Sequence, residues 1–356
     1  MINKKSFKDI ELIIGNSNRN FSGVTSITLQ LLKEQSRLKN IAVLGKHYVP
    51  ETYTTINFFQ FLLLTRTKHS SDRPRVFFAR RNNEMLQAII AKYFFRSKIK
   101  IIFNSTAQRN HTRFTKWLMS KMDSIISTSD KAASFLDNPP DIIIPHGIDT
   151  SRFNPPENKN TAWKELGFPG SFGIGLFGRV RYSKGVDILV DACLDILKEN
   201  KEATVLICGE TQVEDLNYKK MMISKITEAH LEDRIIFLGK KTFEELPFIF
   251  KGMSIVVALS RNEGYGLTPF EGMASGAAVL TSEAGAWKEL VRDGIDGHVV
   301  KTDNVEQTRE KLLKMINNFD ETERMGQEAS KYVNKKFTIE EEARKIIDHI
   351  NHVQAI

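Results

Sequence analysis

Short apolar runs alternate with longer amphipathic segments along the front half of the chain. The apolar runs are Ile10–Ile14, Ile41–Leu44, Arg75–Phe78, Ile99–Asn104, Ser124–Ser127 and Asp141–Pro145. Segments of helical periodicity, such as Val24–Gln35, separate most of them. Strands joined by helices in this way predict a parallel sheet that is covered on both faces.

A second alternation of the same kind follows a Pro-rich segment at residues 145–156. Its predicted strands are Phe172–Phe177, Ala203–Cys208, Arg234–Leu238, Ile255–Leu259, Ala278–Thr281 and Gly297–Val300, and Lys335–Ile356 is predicted to form a terminal helix. Prolines and a glycine between two such patterns mark a domain boundary. The sequence therefore predicts an α/β protein with two doubly wound, Rossmann-like domains facing a cleft, where ligands bind preferentially.

The net charge of +8 is unevenly distributed along the chain. Residues 1–155 contain 24 Lys and Arg against 11 Asp and Glu, whereas residues 156–356 contain 27 against 32. A basic front half fits an anionic partner, which could be nucleic acid, an anionic membrane face or a phosphorylated small molecule. A merely solvated basic face is the alternative.

Two cysteines, Cys193 and Cys208, do not form a CxxC pair, so neither a structural zinc nor a disulfide framework is expected. The first residues lack the apolar stretch of a signal peptide. The longest apolar segment, Ile56–Leu64, is too short to span a bilayer. These features predict a cytoplasmic, reduced protein.

The first strand of the second half leads into a loop with two cations, Arg179 and Lys184, which lie between Gly178 and Gly185. Backbone N–H groups at the start of the following helix favour an anion there. Arg offers a planar fork to phosphate oxygens and Lys a compact charge. The alternative is a pair of solvated loop cations. The loop is neither a Walker A motif nor GxGxxG.

Glu263 and Glu271 flank a glycine-containing loop between a predicted strand and a predicted helix. Ligands of open α/β sheets bind beyond the carboxyl ends of the strands. The segment Thr268–Glu271 also fits a capping box, which would give Glu271 a purely structural role. Capping does not explain Glu263, or the glycines that free the amides of Gly266, Leu267 and Thr268 to hold a diphosphate.

Polar loops of the front half supply further candidates. Gly23, after the first strand, allows close approach of the backbone to a ligand, although an ordinary turn capped by Ser22 or Thr25 fits equally. Two later loops carry four arginines suited to a carboxylate- or phosphate-bearing molecule: Arg80, Arg81, Arg109 and Arg113. His111 is either a base or a surface histidine, and His146 either positions the backbone or contacts the ligand.

Together these motifs resemble the GT-B fold glycosyltransferases of family 4, which are retaining and use nucleotide sugars. The resemblance rests on the Glu263–Glu271 pattern, on the loop from Gly178 to Gly185 and on the Pro145–Asp149 segment, and it is strong over residues 145–300. It implies an acceptor-binding domain at 1–150, against which 336–356 packs, and a donor-binding domain at 151–335.

The resemblance also implies roles for single residues. Arg179 and Lys184 would neutralise the donor diphosphate, and Glu271 would bind the ribose hydroxyls. Glu263 would contact the transferred sugar, while Gly23 and the amides of residues 266–268 would contact the donor. His111 is a further catalytic candidate, without a secure counterpart in the family. No metal site and no cofactor are expected beyond the nucleotide-sugar co-substrate.

The loops around Arg80–Met85 and Ser105–Trp117 are similar to those of bacterial lipopolysaccharide core mannosyltransferases. That similarity implies GDP-mannose as the donor, an anionic inner-core Kdo–lipid A glycolipid as the acceptor, and peripheral association with the inner face of the cytoplasmic membrane. Another nucleotide sugar or glycolipid within family 4 is one alternative. A GT-B-like epimerase or phosphorylase, or a basic nucleic-acid-binding protein, are others, but nucleic acid is not the expected partner because no recognised binding module is present.

Overall fold

The computed structural model describes residues 7–20, 23–66, 69 and 71–356. The chain forms two compact units. Unit 1 comprises Met1–Gly147 and Ile339–Ile356, and unit 2 comprises Ile148–Thr338.

Unit 1 contains a parallel sheet in the strand order β3-β2-β1-β4-β5-β6-β7. Its strands are β1 Leu12–Gly15, β2 Ile41–Leu44, β3 Thr55–Ile56, β4 Arg75–Ala79, β5 Ile99–Ser105, β6 Ser124–Ser127 and β7 Ile142–Ile143. Its α-helices are α1 Gly23–Leu38, α2 Phe58–Thr65, α3 Asn82–Ile89, α4 Arg113–Met119, α5 Asp130–Ala133 and, at the end of the chain, α14 Ile339–Ala355. A π-helical turn, Ile90–Phe94, extends α3.

The two faces of this sheet bury different helices. Alternate strand residues, such as Phe77 and Ile101, pack against α2, α3 and α4. On α14, Ile346 and Ile350 are fully buried, and this helix contacts α1, β4 and β5. The terminal helix is therefore part of the core of unit 1.

Unit 2 repeats the architecture with the parallel strand order β10-β9-β8-β11-β12-β13. Its strands are β8 Phe172–Phe177, β9 Ala203–Cys208, β10 Ile235–Gly239, β11 Met253–Ala258, β12 Ala278–Ser282 and β13 Gly297–Val300. Its α-helices are α6 Lys159–Leu166, α7 Val186–Glu199, α8 Leu216–Glu228, α9 Glu245–Lys251, α10 Thr268–Ala274, α11 Trp287–Leu290, α12 Val305–Asn317 and α13 Phe319–Lys336. One apolar cluster fills each face of the sheet.

The predicted fold class of two doubly wound parallel-sheet domains is confirmed. Two details of the sequence interpretation are wrong. The edge strand β3 was not anticipated, because a strand of two residues is too short to show alternation. The terminal helix begins at Ile339 rather than Lys335, since α13 ends at Lys336 and Phe337–Thr338 leave the helix, with Thr338 bridging to Ile148.

Candidate functional site

The loop after β8 places both predicted cations at the carboxyl edge of the unit 2 sheet. Gly178 has a φ of +139°, a conformation that side chains disfavour. Arg179 is exposed, and its Nη1 donates to Gln212 Oε1 at 3.0 Å. Lys184 ends a short 3₁₀ turn, and a Cβ on the next residue, Gly185, would collide with the carbonyl oxygen of Leu259.

Lys184 and Glu263 form an ion pair between Nζ and Oε2. Both side chains remain about one-fifth exposed. The backbone N–H of Gly264 donates to Glu263 Oε1 at 3.2 Å. The fold thus brings together a cation and an acid that are far apart in sequence, and they line a small pocket with Ser260, Thr268 and Trp287.

Arg261 fixes the backbone that carries Lys184. Its guanidinium donates to both carboxylate oxygens of Asp187 at 2.9 and 2.8 Å and lies 3.6 Å from the centroid of the Tyr182 ring. It also pairs with Asp303, and its backbone N–H donates to the carbonyl of Ser183. Burial alone would raise the pKa of Asp187, but hydrogen bonds from Arg261 and Tyr218 hold it below its usual value.

Glu271 lies inside α10, whose N-cap position is Leu267 and has no side-chain cap. The alternative of a capping box at Thr268–Glu271 is therefore wrong, because the helix begins one residue earlier than the box requires. Burial raises the pKa of the Glu271 carboxyl to about 7, and only the charge of Arg152 opposes that shift. The guanidinium of Arg152 stacks on Phe243, 3.3 Å from the ring centroid.

The glycine-containing loop before α10 is shaped by Trp287. Gly266 has a φ of +79°, and a Cβ there would lie 2.5 Å from the indole ring. The indole Nε1 donates to the carbonyl oxygen of Gly266 at 2.8 Å. This close packing presents residues 266–268 at the start of α10, beside the Lys184–Glu263 pair.

The arginines of unit 1 fall into three different environments. Arg81 is clamped: Nη1 donates to Glu84 Oε1 at 3.2 Å and Nη2 to Thr25 Oγ1 at 3.0 Å. Glu84 is fully buried and also accepts the backbone N–H of Arg80 at 2.8 Å. Burial raises the pKa of Glu84, which the backbone amide of Arg80 and the charge of Arg81 oppose.

Arg109, which precedes α4, and Arg113, its first residue, are exposed, unlike Arg80, whose guanidinium nitrogens are buried. His111 lies between these two residues, and burial together with Arg109 and Lys116 lowers the pKa of its imidazole. Gly23 begins α1, and no described atom beyond its chain neighbours lies within 4 Å of where its Cβ would project, while the cap candidate Ser22 lies outside the described residues.

His146 is buried, and its contacts give the Pro145–Asp149 motif a structural role. Its Nδ1 is 2.8 Å from Glu342 Oε1, and the N–H of Gly147 donates to the other oxygen of Glu342 at 2.7 Å. The first turn of α14 thereby holds the Pro145–Asp149 segment. Backbone positioning is the role that these contacts support.

Sequence reasoning missed Arg261 and Arg152. Arg261 directly precedes the Asn262-Glu263 pair, but its partners Asp187 and Asp303 lie on other loops, so spacing gave no signal. Arg152 follows the His146 motif and could have been noted as its nearest cation.

Within the described residues, no group of three His, Cys, Asp or Glu side chains is arranged to hold a metal ion. No described helix is long and apolar enough to cross a bilayer.

The chain matches the family described as glycosyl transferases group 1 over residues 160–332. It is 38% identical over 340 residues to the lipopolysaccharide core biosynthesis mannosyltransferase LpcC of Rhizobium leguminosarum, covering 95% of both chains. It is 36% identical to LpsB of Rhizobium meliloti, which has the same description, covering 95% of this chain and 96% of LpsB.

Solved structures show the same architecture. The C-terminal domain of the group 1 glycosyltransferase LpcC from Francisella tularensis is 35% identical, with a TM-score of 0.53, and its whole length matches 54% of this chain. HepE of Anabaena, solved with UDP, has a TM-score of 0.83 and aligns over 96% of this chain and 100% of its own length. Because the two chains are only 16% identical, this likeness supports the fold alone.

Proposed function

Because the chain belongs to the group 1 glycosyltransferases, a family of enzymes, we propose that it transfers mannose from GDP-mannose to an inner-core Kdo sugar of a lipid A acceptor, with retention of configuration. Two relatives that align along nearly the whole chain are described as lipopolysaccharide core mannosyltransferases. Their similarity includes unit 1, where the acceptor of the proposed reaction would bind.

The observation that carries the proposal is the Lys184–Glu263 pair at the carboxyl edge of the unit 2 sheet. Cleavage of a sugar–phosphate bond builds negative charge on the departing diphosphate and positive charge on the anomeric carbon. In the reaction we propose, Lys184 and Arg179 stabilise the first charge and Glu263 stabilises the second. Glu271 accepts the ribose hydroxyls in this proposal. The reaction we propose needs no metal ion, because these fixed cations neutralise the diphosphate.

Donor identity can be tested by thermal denaturation with GDP-mannose, UDP-glucose and ADP-glucose. A ligand that binds only the folded state raises the unfolding midpoint by mass action. We expect GDP-mannose to give the largest shift, and to keep it in the presence of EDTA. Incubation with labelled GDP-mannose and Kdo–lipid A should then yield an α-linked product. A larger shift with another nucleotide sugar, or release of free mannose without transfer, contradicts the proposal.

We also propose that unit 1 docks on an anionic membrane through an aromatic surface formed by α3, the π-helical turn and α4. The exposed side chains that form it are Leu86, Ile90, Tyr93, Phe94, Phe95, Phe114 and Trp117. Phe94 is 79% exposed, and Phe114 stacks on Trp117 with 6.0 Å between ring centroids. Since α3 contacts both the π-helical turn and α4, these exposed side chains lie on neighbouring elements, and exposed apolar side chains grouped in this way favour an interaction site.

Cations lie on the same segments as these aromatic side chains, and their charge favours an anionic bilayer as the binding partner. Arg96, Lys98 and Arg113 are exposed and form no ion pair within the described part of the chain. Aromatic side chains beside such cations fit the interface of an anionic bilayer, in which rings enter the headgroup region and cations meet lipid phosphates. Attachment there would keep the enzyme beside a lipid-anchored acceptor.

Vesicle co-sedimentation tests this docking. We expect binding to vesicles that contain phosphatidylglycerol, weakened by salt and by the double change Phe94→Ser and Trp117→Ser. Phe59→Ser, at an equally exposed position on α2, is the matched control and should bind like the wild type. Equal binding to phosphatidylcholine alone, or unaltered binding by the double variant, contradicts the proposal.

A further inference from the structure

A row of buried polar side chains crosses three neighbouring strands at the carboxyl edge of the unit 1 sheet. Ile14, Phe78 and Ile102 are partners in register across β1, β4 and β5. Two residues further on, polar residues continue the same alternation, and these are Asn16 and Arg80, which directly follow β1 and β4, and Asn104 in β5. Arg80 follows this geometry, since its guanidinium carbon lies 4.6 Å from the centroid of the Phe78 ring.

Five polar atoms of this row lack partners, although Nδ2 of Asn16 donates to the carbonyl oxygen of His47 at 2.8 Å. The Nε, Nη1 and Nη2 atoms of Arg80 are all buried without a hydrogen bond in the described part of the chain, as are Oδ1 of Asn16 and Oδ1 of Asn104. Buried polar atoms are nearly always paired, because an unpaired one loses its hydration without compensation. An unpaired guanidinium between two unpaired amide oxygens requires a specific explanation.

The described acids near Arg80 form no hydrogen bond with its guanidinium. Both oxygens of Glu342 are engaged by His146 and Gly147. The carboxylate of Glu84 accepts hydrogen bonds from the Arg81 guanidinium and from the backbone N–H groups of residues 80 and 81. Burial lowers the pKa of Arg80 to about 10, although the charges of Glu342 and Glu84 oppose that shift. The side chain therefore stays cationic at neutral pH.

We propose that Asn16, Arg80 and Asn104 form a binding site for an anionic sugar, in which Arg80 holds a carboxylate or phosphate and the two asparagines hold neighbouring hydroxyl groups. The guanidinium can donate two parallel N–H···O bonds to such an oxyanion. The amide oxygens are acceptors and match hydroxyl donors, which the oxyanion itself does not provide. This inference rests on the proposed function in one respect, since it makes the occupant the acidic acceptor sugar.

Arg80 differs from the other candidate arginines of unit 1 in its suitability for this site. Arg81 already has protein partners and serves to position the loop. Arg109 and Arg113 are exposed and do not offer the buried setting in which one charged hydrogen bond decides affinity.

The test is direct binding, by ligand-observed NMR, of three probes at equal ionic strength: D-glucuronate, glucose 6-phosphate and glucose. The wild type is expected to bind glucuronate or glucose 6-phosphate and not glucose, and the two anions distinguish a carboxylate site from a phosphate site. Arg80→Met should weaken the binding about tenfold or more, as expected for a lost charged hydrogen bond. With an active acceptor, the same change should raise its KM and leave the KM of the nucleotide sugar unaltered.

Two further variants keep the inference falsifiable. Arg37→Met, at an exposed arginine on α1, should bind the probes like the wild type. Because the Arg80 side chain makes no hydrogen bond to any described residue, Arg80→Met should keep or raise the unfolding midpoint, whereas a structural arginine would lower it. Asn104→Asp, which is nearly isosteric, should pair with Arg80 and abolish anion binding in a folded protein.

Failure of the site and failure of the proposed function give different results. Absence of anion binding to the wild type, or unchanged binding by Arg80→Met and Asn104→Asp, overturns the site. Binding of anions that depends on Arg80, in a protein that does not transfer mannose, supports the site and contradicts the proposed reaction.

Discussion

The surroundings of Glu271 raise the pKa of its carboxyl to a value near neutral pH. Its folded-state pKa of about 7 lies above the ordinary 4.5, because burial disfavours the carboxylate. The folded state therefore binds a proton more readily than the unfolded chain between these two values. The stability that this group contributes is present below about pH 4.5 and is lost as the pH rises through about 7.

Glu271→Gln should accordingly stabilise the protein at pH 8, by up to about 3 kcal/mol, and have little effect near pH 5. Urea unfolding at the two pH values measures the difference. Activity should fall at both, since an amide binds two ribose hydroxyls less well than a carboxylate. Equal stabilisation at both pH values would show that Glu271 does not titrate as described.

In the proposed function, Lys184 and Glu263 support the reaction rather than the fold. We expect Lys184→Ala and Glu263→Ala each to lower kcat at least about tenfold, because each removes a charge that stabilises the transition state. The pair is partly exposed, so the free energy of unfolding should change by no more than about 1 kcal/mol. Lys201→Ala, at an exposed lysine outside the site, is the control for activity. Near-normal kcat in either folded variant would refute its role.

At the level of elements, two loops of unit 2 owe their shape to residues on other elements. Arg261 holds the turn before Lys184 through Asp187 and Tyr182, and Trp287 holds the loop before α10 through Gly266. The positions of the candidate site residues therefore depend on Arg261, which follows β11, and on Trp287, which follows β12.

Gly266→Ala tests the second support. Alanine there must adopt a left-handed φ and also displace the Trp287 indole, so we expect a loss of 2 kcal/mol or more, about the combined cost of backbone strain and overpacking. Gly294→Ala is the matched control, since Gly294 has a similar φ of +77° with no atom within 4 Å of its Cβ position. It should cost about 1 kcal/mol. Equal losses in thermal unfolding would show that contact with the indole is unimportant.

The same elements show what sequence could establish. Continuous apolar runs located the longer strands, because strands buried on both faces leave a strong signal. The loop positions of Lys184 and Glu263 followed from the ends of those strands. The Arg261 clamp, the engagement of Arg81 by Glu84 and the unpaired state of Arg80 were not accessible, since each depends on which distant side chain fills a given space.

At the scale of the whole molecule, the last helix of the chain, α14, is part of unit 1. Helix α14 buries Ile346, Ile347 and Ile350 in unit 1, and its Glu342 accepts hydrogen bonds from His146 and Gly147. Unit 2, in contrast, is continuous from Ile148 to Thr338 and has apolar clusters on both faces of its sheet.

Truncation after Thr338 should therefore damage unit 1 selectively. Loss of several buried isoleucines, two of them fully buried, costs more than a typical domain can lose, at about 2–5 kcal/mol for each large buried side chain. We expect the truncated chain to lose the hydrogen-exchange protection of β4 and β5 while it retains that of β8 and β11, and to retain the thermal shift caused by GDP. Deletion of only the last residue, Ile356, which is 82% exposed, is the control. Equal loss of protection in both sheets would show that unit 2 does not fold independently of α14.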